Sequence, residues 1–410
     1  MAEEDTLVAQ LRSHIMQLLD RSPTLTDDEL HGLIEEEMFR NPACRSLTAE
    51  GKKSMAARIF HSFRGLDILQ PLVDNPDITE IMINGHETIF IEQEGAVTRY
   101  EGRFESRQKL EDVIQAIVAK VNRVINESSP IVDARLPDGS RVHAVLPPIS
   151  LGGPTLTIRK FPANPFTLSE LINRGALSSD AAQLLIDLVR AKFNIFISGG
   201  TGSGKTTFLN ALAQYIPVDE RIITIEDSAE LQIRGIPNLV AMETRNANTE
   251  GRGEISIRDL IRASLRMRPN RIIVGEVRGK EALDMLQAMN TGHEGSLSTG
   301  HANSAADMLS RLETMVLSSA ELPLPVVRKQ ISSALDIIVH LSRMRDKTRK
   351  VTEIHEVSGM RDGEIILNPL YLLKEDENQQ AQLTFTGNPL QEKRKLAMSG
   401  ISLYQRRKMA

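Results

Sequence analysis

The stretch Asn194-Ile-Phe-Ile-Ser-Gly-Gly-Thr-Gly-Ser-Gly-Lys-Thr-Thr207 constrains this chain more than any other. A short apolar run enters a glycine-rich turn, and Phe208-Leu-Asn-Ala-Leu-Ala213 continues it as a helix. From Gly199 to Thr206 this is the Gly-x-x-x-x-Gly-Lys-Thr pattern. A triphosphate needs main-chain N–H groups pointing inward, and glycines let the backbone curl closely enough to supply them. The following helix offers its N-terminus to the same anion. Gly199, Gly200, Thr201, Gly202, Ser203, Gly204, Lys205, Thr206 and Thr207 are therefore expected to hold ATP. In that arrangement Lys205 reaches the β- and γ-phosphates, and the Thr206 hydroxyl binds Mg²⁺.

The chain has 410 residues, enough for two or three domains. A net charge of −5 gives no general attraction to nucleic acid or anionic lipid, and 4% aromatics without tryptophan give little for stacked bases. No nucleic-acid partner is expected. No apolar run reaches the roughly 18 residues of a membrane span, and the acidic start Met1-Ala-Glu-Glu-Asp5 is unlike a signal peptide. Cys44 is the only cysteine, so no internal disulfide or Cys-x-x-Cys site can form. These features point to the cytoplasm, with no membrane insertion.

Residues 1–64 read as an N-terminal helical bundle. Leu7, Leu11, Ile15, Leu18 and Leu19 recur at helical spacing, Thr26-Asp-Asp-Glu29 forms a capping box, and a third helix is expected from Thr48 to Phe63. Residues 65–160 read as an α+β domain. Ile78–Gly85 and Thr88–Glu92 alternate as strands about an Asn-Gly turn, with a further turn at Glu94-Gly95 before Val97–Tyr100. A helix through Leu110, Val113, Ile114, Ile117, Val118 and Val121 follows, then a hairpin around Asp138-Gly139 and a strand at Leu156–Lys160. The prolines of Phe161-Pro-Ala-Asn-Pro-Phe166 mark a linker, taken as 161–170. From 171 to 410 helices alternate with strand-like runs at Ile195–Ser198, Ile222–Ile225, Arg271–Gly275 and Gly295–Thr299, which predicts a parallel α/β sheet. The helix from Ser256, capped by Ser256 and Asp259, carries Ile257, Leu260, Ile261 and Leu265 on one face and is expected to run to Pro269.

Ligands of open α/β sheets sit beyond the carboxyl ends of the strands. The polar residues following these strands are Glu226, Asp227 and Glu230, then Glu276, then His301. Carboxylates beside a triphosphate are unfavourable unless a metal or a water uses them. Glu276 is assigned to orient the attacking water, with Glu226, Asp227 and Glu230 supporting Mg²⁺ and its waters, and Glu276 reaching the ion through water. His301, with His293 less directly placed, is assigned to sense the γ-phosphate. An arginine supplied from elsewhere contributes about 10³–10⁵ in rate at such sites. Arg141 and Arg159 are candidates from the preceding domain, and Arg266 and Arg268 are rivals from the catalytic one.

Three motifs carry a family resemblance. Thr224-Ile-Glu-Asp-Ser-Ala-Glu-Leu231 resembles the acidic box of secretion ATPases, Leu265–Gly279 their Walker B segment, and Thr291–Asn303 their histidine box. Over residues 65–410 the chain resembles the type II/IV secretion ATPase superfamily, and within it the CpaF-type ATPases of Tad (Flp) pilus assembly. Arg311-Leu-Glu-Thr-Met-Val316 and Leu322-Pro-Leu-Pro325 fit that branch. Ser228 and Asn270 stand where Thr and Asp are common, and the four-cysteine module of general type II ATPases is absent. The resemblance implies an α/β fold in which a RecA-like P-loop ATPase domain follows a PAS-like α+β domain. It implies a homo-hexamer at the inner face of the cytoplasmic membrane, working on an inner-membrane platform protein. It also implies that Arg141 and Arg159 reach the γ-phosphate, that Glu276 is the catalytic glutamate, and that His301 couples nucleotide state to domain motion. A type IV secretion channel motor is the neighbouring alternative, and a RecA-like nucleic-acid motor is one of a different class.

Overall fold

The computed structural model describes residues 2–19, 25–93, 95–121, 123–136, 138–161, 165–245, 247, 252–375 and 381–401. They fall into two units, Met1–Ala163 and Asn164–Ala410. Among the described residues no helix is long and apolar enough to cross a membrane.

The first unit begins with three helices, α1 (Ala2–Leu19), α2 (Asp27–Arg40) and α3 (Ala49–Arg64). The expected capping box is present: Thr26 Oγ1 accepts from the Glu29 amide at 3.3 Å, and Glu29 Oε2 accepts from the Thr26 amide at 2.7 Å. Thr48 caps α3 by accepting from the Gly51 amide at 3.1 Å. The apolar stripes close on one another, burying Leu11, Ile15, Leu30, Ile34, Met38, Met55 and Ile59 around Cys44. A short α4 (Gln70–Asp74) leads into β1 (Ile78–Asn84), β2 (Ile89–Gln93), β3 (Ala96–Tyr100), α5 (Arg107–Ala119), β4 (Ile131–Arg135), β5 (Arg141–Val145) and β6 (Thr155–Arg159). The six strands form one antiparallel sheet in the order β3-β2-β1-β6-β5-β4. Its core joins Ile81, Ile83, Val142, Leu156 and Ile158 with Leu110, Ile114 and Ile117 of α5. The hairpin around Asp138-Gly139 is present as β4–β5. Glu94 and residues 162–164, parts of an expected turn and of the expected linker, lie outside the described residues.

The second unit runs α6 (Leu168–Asn173), α7 (Ser179–Arg190), β7 (Ile195–Gly199), α8 (Lys205–Ala213), β8 (Ile222–Glu226), β9 (Leu239–Glu243), α9 (Ile257–Ser264) and β10 (Arg271–Val274). It continues with α10 (Glu281–Asn290), β11 (Leu297–Gly300), α11 (Ala305–Leu317), α12 (Leu324–Ala334), β12 (Ile337–Arg343), β13 (Arg349–Arg361), β14 (Glu364–Glu375), β15 (Ala381–Phe385) and α13 (Arg394–Met398). The nine strands form one sheet ordered β15-β14-β13-β12-β7-β11-β10-β8-β9. From β12 to β9 all neighbours are parallel, as alternation of helices and strands predicts. Apolar side chains line both faces of this sheet, as in a buried parallel sheet, with Ile195 and Ile197 facing one core and Phe196 the other.

Two expectations change. Helix α9 stops at Ser264, not at Pro269, and Leu265 is 38% exposed, off the apolar face assigned to it. The last turn tightens, with Arg266 N donating to Ala263 O at 3.1 Å and Met267 N to Ser264 O at 2.8 Å, before Arg268, at φ 55°, turns the chain into Pro269. Helix α6 also starts at Leu168, inside the stretch read as linker, where Thr167 and Glu170 form a second capping box.

Candidate nucleotide site

Strand β7 lies between β11 and β12, with Gly300 beside Ser198 and Leu341 beside Gly199, so the glycine loop leaves the sheet at its middle. Gly204 caps α8 at φ 92°, a left-handed conformation that a side chain would strain. Lys205 is buried, and its ammonium donates to the carbonyls of Gly199 at 3.1 Å and Gly200 at 3.0 Å. It also lies 3.3 Å from His301 Nδ1. An ammonium has only protons to give, so Nδ1 accepts and the imidazole proton belongs on Nε2.

His301 Nε2 lies 2.8 Å from Glu276 Oε1. The contact is close, but it does not make a hydrogen bond, and this buried oxygen has no hydrogen-bond partner among the described residues. The other oxygen, Oε2, accepts from the Arg278 guanidinium at 2.7 Å. Main-chain bonds fix Glu276 on both sides: Gly275 N donates to Ile225 O and Val277 N to Thr299 O, each at 2.8 Å. Burial pushes the Glu276 carboxyl upward, but Arg278, His301 and Lys205 together outweigh it and hold the group below its ordinary value. Burial, then the Lys205 charge, lowers His301, so the imidazole is neutral at pH 7.

Glu226 ends β8 almost fully buried, with Oε1 accepting from the amides of Glu230 at 2.8 Å and Leu231 at 2.9 Å. Burial lifts its carboxyl from 4.5 to about 7, against the pull of those two amides. Gly275 is pressed against it, since a Cβ there would lie 2.8 Å from Glu226 Cγ. An oxygen-only set of Thr206 hydroxyl, Glu226 and a water-linked Glu276 suits Mg²⁺, and a buried carboxylate with a raised pKa gains from a cation.

The folded protein holds the Glu226 proton more tightly than the unfolded chain does. The stability this lends is full below pH 4.5 and is lost as pH rises through about 7, a change of about 3 kcal/mol. Glu226→Gln is therefore expected to flatten the fall in thermal midpoint between pH 6 and pH 8 in metal-free buffer. Equal slopes for the two proteins would show that Glu226 is not the titrating group.

The parallel strands thus bring Gly199–Thr207, Glu226, Glu276 and His301 to one end of the sheet. Asp227 follows exposed, with Arg278 at 4.0 Å, and Glu230 meets Glu226 through its main chain. His293 is not brought there: it precedes β11 at the strand's amino end, where Nδ1 lies 3.3 Å from Ala288 O and its own carbonyl accepts from Ser296 Oγ. Arg266 and Arg268 precede β10, also at the amino end. Arg141 and Arg159 belong to the first unit and sit directly opposite each other on β5 and β6, and Arg141 meets Asp133 at 3.4 Å. Sequence reasoning missed two arginines. Arg135 lies opposite Arg141 and extends the row, as a hairpin centred on Asp138 requires. Arg278 was missed because nothing in the sequence says that a residue two places on will fold back onto Glu276.

Comparison with known proteins places these features in a family. The type II/IV secretion system protein family matches residues 63–384. A putative conjugal transfer protein of Mycobacterium tuberculosis is 36% identical over 296 residues, covering 71% of this chain and 84% of the relative. The type IV secretion system protein PtlH of Bordetella pertussis is 35% identical over 326 residues, covering 72% and 95%. Among solved structures, the Legionella pneumophila ATPase DotB shares the fold, with a TM-score of 0.52 at 23% identity over 71% of this chain and 80% of that one. With the family match running from before β1 through β14, the chain belongs to the type II/IV secretion system protein family.

Proposed function

We propose that this ATPase hydrolyses ATP with Mg²⁺ as a cytoplasmic homo-hexamer and drives Tad-type pilus assembly through an inner-membrane platform protein. The second unit acts as a RecA-like motor domain. The first supplies a PAS-like α+β domain behind the helical bundle. The observation that carries the reading is the buried, unbonded Oε1 of Glu276, held beside His301 and, through it, Lys205. This oxygen is an acceptor in want of a proton donor, and an attacking water is the donor that the chemistry needs. Lys205 leaves the Gly199 and Gly200 carbonyls for the β- and γ-phosphates, and in doing so releases His301 Nδ1. Mg²⁺, once bound, would neutralise charge on the phosphate oxygens. Thr206 and Glu226 would hold its shell, and Arg141 and Arg159, from the preceding domain, would complete the γ-phosphate's surroundings.

Service to a type IV secretion channel is the second reading, favoured by the similarity to PtlH. One experiment tests the motor common to both: Mg²⁺-ATPase rate and mass in solution against protein concentration, for wild type and Arg141→Ala. Activity that rises as hexamers form, and is lost in the variant while nucleotide binding persists, is expected. A fully active monomer indifferent to Arg141 would overturn the ring.

A further inference from the structure

The β12–β13 hairpin, where the parallel run of strands ends, reaches the phosphate loop. Strand β12 runs beside β7 with Leu341 opposite Gly199, so Ser342 and Arg343 leave the sheet where the loop begins. The chain turns at Met344–Thr348, closed by a bond from Met344 N to Thr348 O at 2.8 Å, and returns as β13 with Arg349 directly opposite Arg343. Arg349 then donates from Nε to the Gly202 carbonyl, at the tip of the phosphate loop, at 3.0 Å. Its Cδ would lie 3.3 Å from a Cβ on Gly204.

The charges are poorly matched within the hairpin. Residues 343–349 hold Arg343, Arg345, Lys347 and Arg349 against one acid, Asp346, and all five side chains are exposed. Asp346 is engaged inside the turn, accepting from Thr348 N at 2.9 Å and Thr348 Oγ1 at 2.6 Å. Among the described residues neither Arg343 nor Arg349 forms an ion pair with a carboxylate. Like charges directly opposite on paired strands repel, and a pair kept without a counter-charge suits a site where an anion arrives. The hydrogen bond from Nε leaves both terminal nitrogens of Arg349 to point a planar fork at that anion.

We infer that Arg349, with Arg343 beside it, is a nucleotide-binding residue that takes the phosphate tail of the nucleotide seated in the Gly199–Thr207 loop. The inference rests on reading that loop as the nucleotide site. Arg349 would hold the loop's tip by one nitrogen and the phosphate by the others, joining the β12–β13 hairpin to the presence of ligand.

The test is a titration of the full chain with a fluorescent ADP analogue in Mg²⁺ buffer, for wild type, Lys205→Ala, Arg349→Ala, Arg349→Lys, Arg349→Gln and Arg343→Ala. Arg349→Ala is expected to raise Kd roughly ten-fold, and Arg343→Ala by roughly two- to three-fold. Arg349→Lys should recover part of the loss through its charge. Arg349→Gln, which keeps an N–H donor for Gly202 without the charge, should not. The difference between wild type and Arg349→Ala should shrink as salt rises from about 0.05 to 0.5 M. The nucleotide-free thermal midpoint should stay within a degree or two, since Arg349 is exposed. If wild type binds no ADP, or Lys205→Ala binds it as well as wild type, the reading of the loop fails. If wild type binds, Lys205→Ala does not, and Arg349→Ala matches wild type, this inference alone fails. Full recovery by Arg349→Gln overturns it in favour of simple loop bracing. Unchanged ADP affinity with weaker retention on phosphatidylglycerol vesicles would reassign the hairpin to a lipid surface.

Discussion

Glu276→Gln is expected to lower the steady-state ATPase rate by about 10²–10⁴-fold while leaving ATP affinity within a few-fold. The substitution keeps the shape of the side chain and removes the charge that orients and polarises a water. In the native protein three cations or proton-bearing groups, Arg278, His301 and Lys205, outweigh burial and keep this carboxylate ionised. In the nucleotide-free protein the carboxyl is therefore held below the ordinary glutamate value. ATP affinity is set mainly by the loop and Lys205, none of which depends on the Glu276 charge for position, since the Gly275 and Val277 amides hold its backbone. Phosphate release and equilibrium nucleotide binding, measured on the same preparation, separate the two quantities. A Gln variant turning over within a few-fold of wild type would remove Glu276 from the chemistry and leave the family's assignment of roles without support here.

How much of this was legible in the sequence depended on whether the signal was local. The glycine loop, the capping boxes at Thr26 and Ser256, and the hairpin around Asp138-Gly139 are written in a few adjacent residues, and each is present. The convergence of Glu226, Glu276 and His301 followed from a general rule about parallel sheets, because side chains just beyond adjacent strand ends have to meet. His293 failed under the same rule: it stands before its strand, and the rule places it at the opposite end. What stayed hidden were contacts over long separations in the chain or against local propensity. The antiparallel extension β13–β15 pairs with the parallel core only through β12, and nothing near Val351 or Leu370 announces that neighbour. Arg349 meets Gly202 across 147 residues. The end of α9 was misplaced because Pro269 is a visible stop, whereas the helix gives way earlier to the tighter turn through Arg266 and Met267.

The largest expected effect on stability lies at the other end of the sheet. Arg271, the first residue of β10, is fully buried. Its guanidinium donates to both oxygens of Glu220, from Nε at 2.5 Å and Nη2 at 3.1 Å. Nη1 donates to the carbonyls of Val189 at 2.7 Å and Gly295 at 3.2 Å. One side chain thus ties the end of α7, the turn before β8 and the turn before β11 to the strand between them. Arg271→Ala leaves the buried Glu220 carboxylate with only the Lys192 ammonium, 3.8 Å away, and takes the donor from the Gly295 carbonyl, while Val189 O keeps the Lys192 amide at 3.2 Å. The loss of the bidentate pair should cost about 3–5 kcal/mol. For a unit of this size that is a fall of roughly 6–20 °C in thermal midpoint. Replacing both partners, as Arg271→Met with Glu220→Leu, removes the buried charge as well as the bond and should recover much of the loss. The rate per folded molecule should hardly change, because the pair sits at the amino ends of the strands and the phosphates at their carboxyl ends. Thermal unfolding of the two single variants and the double one closes the cycle. A single Arg271→Ala change costing under about 1 kcal/mol would mean that water reaches Glu220 once the arginine is gone, and that this end of the sheet is looser than its burial implies.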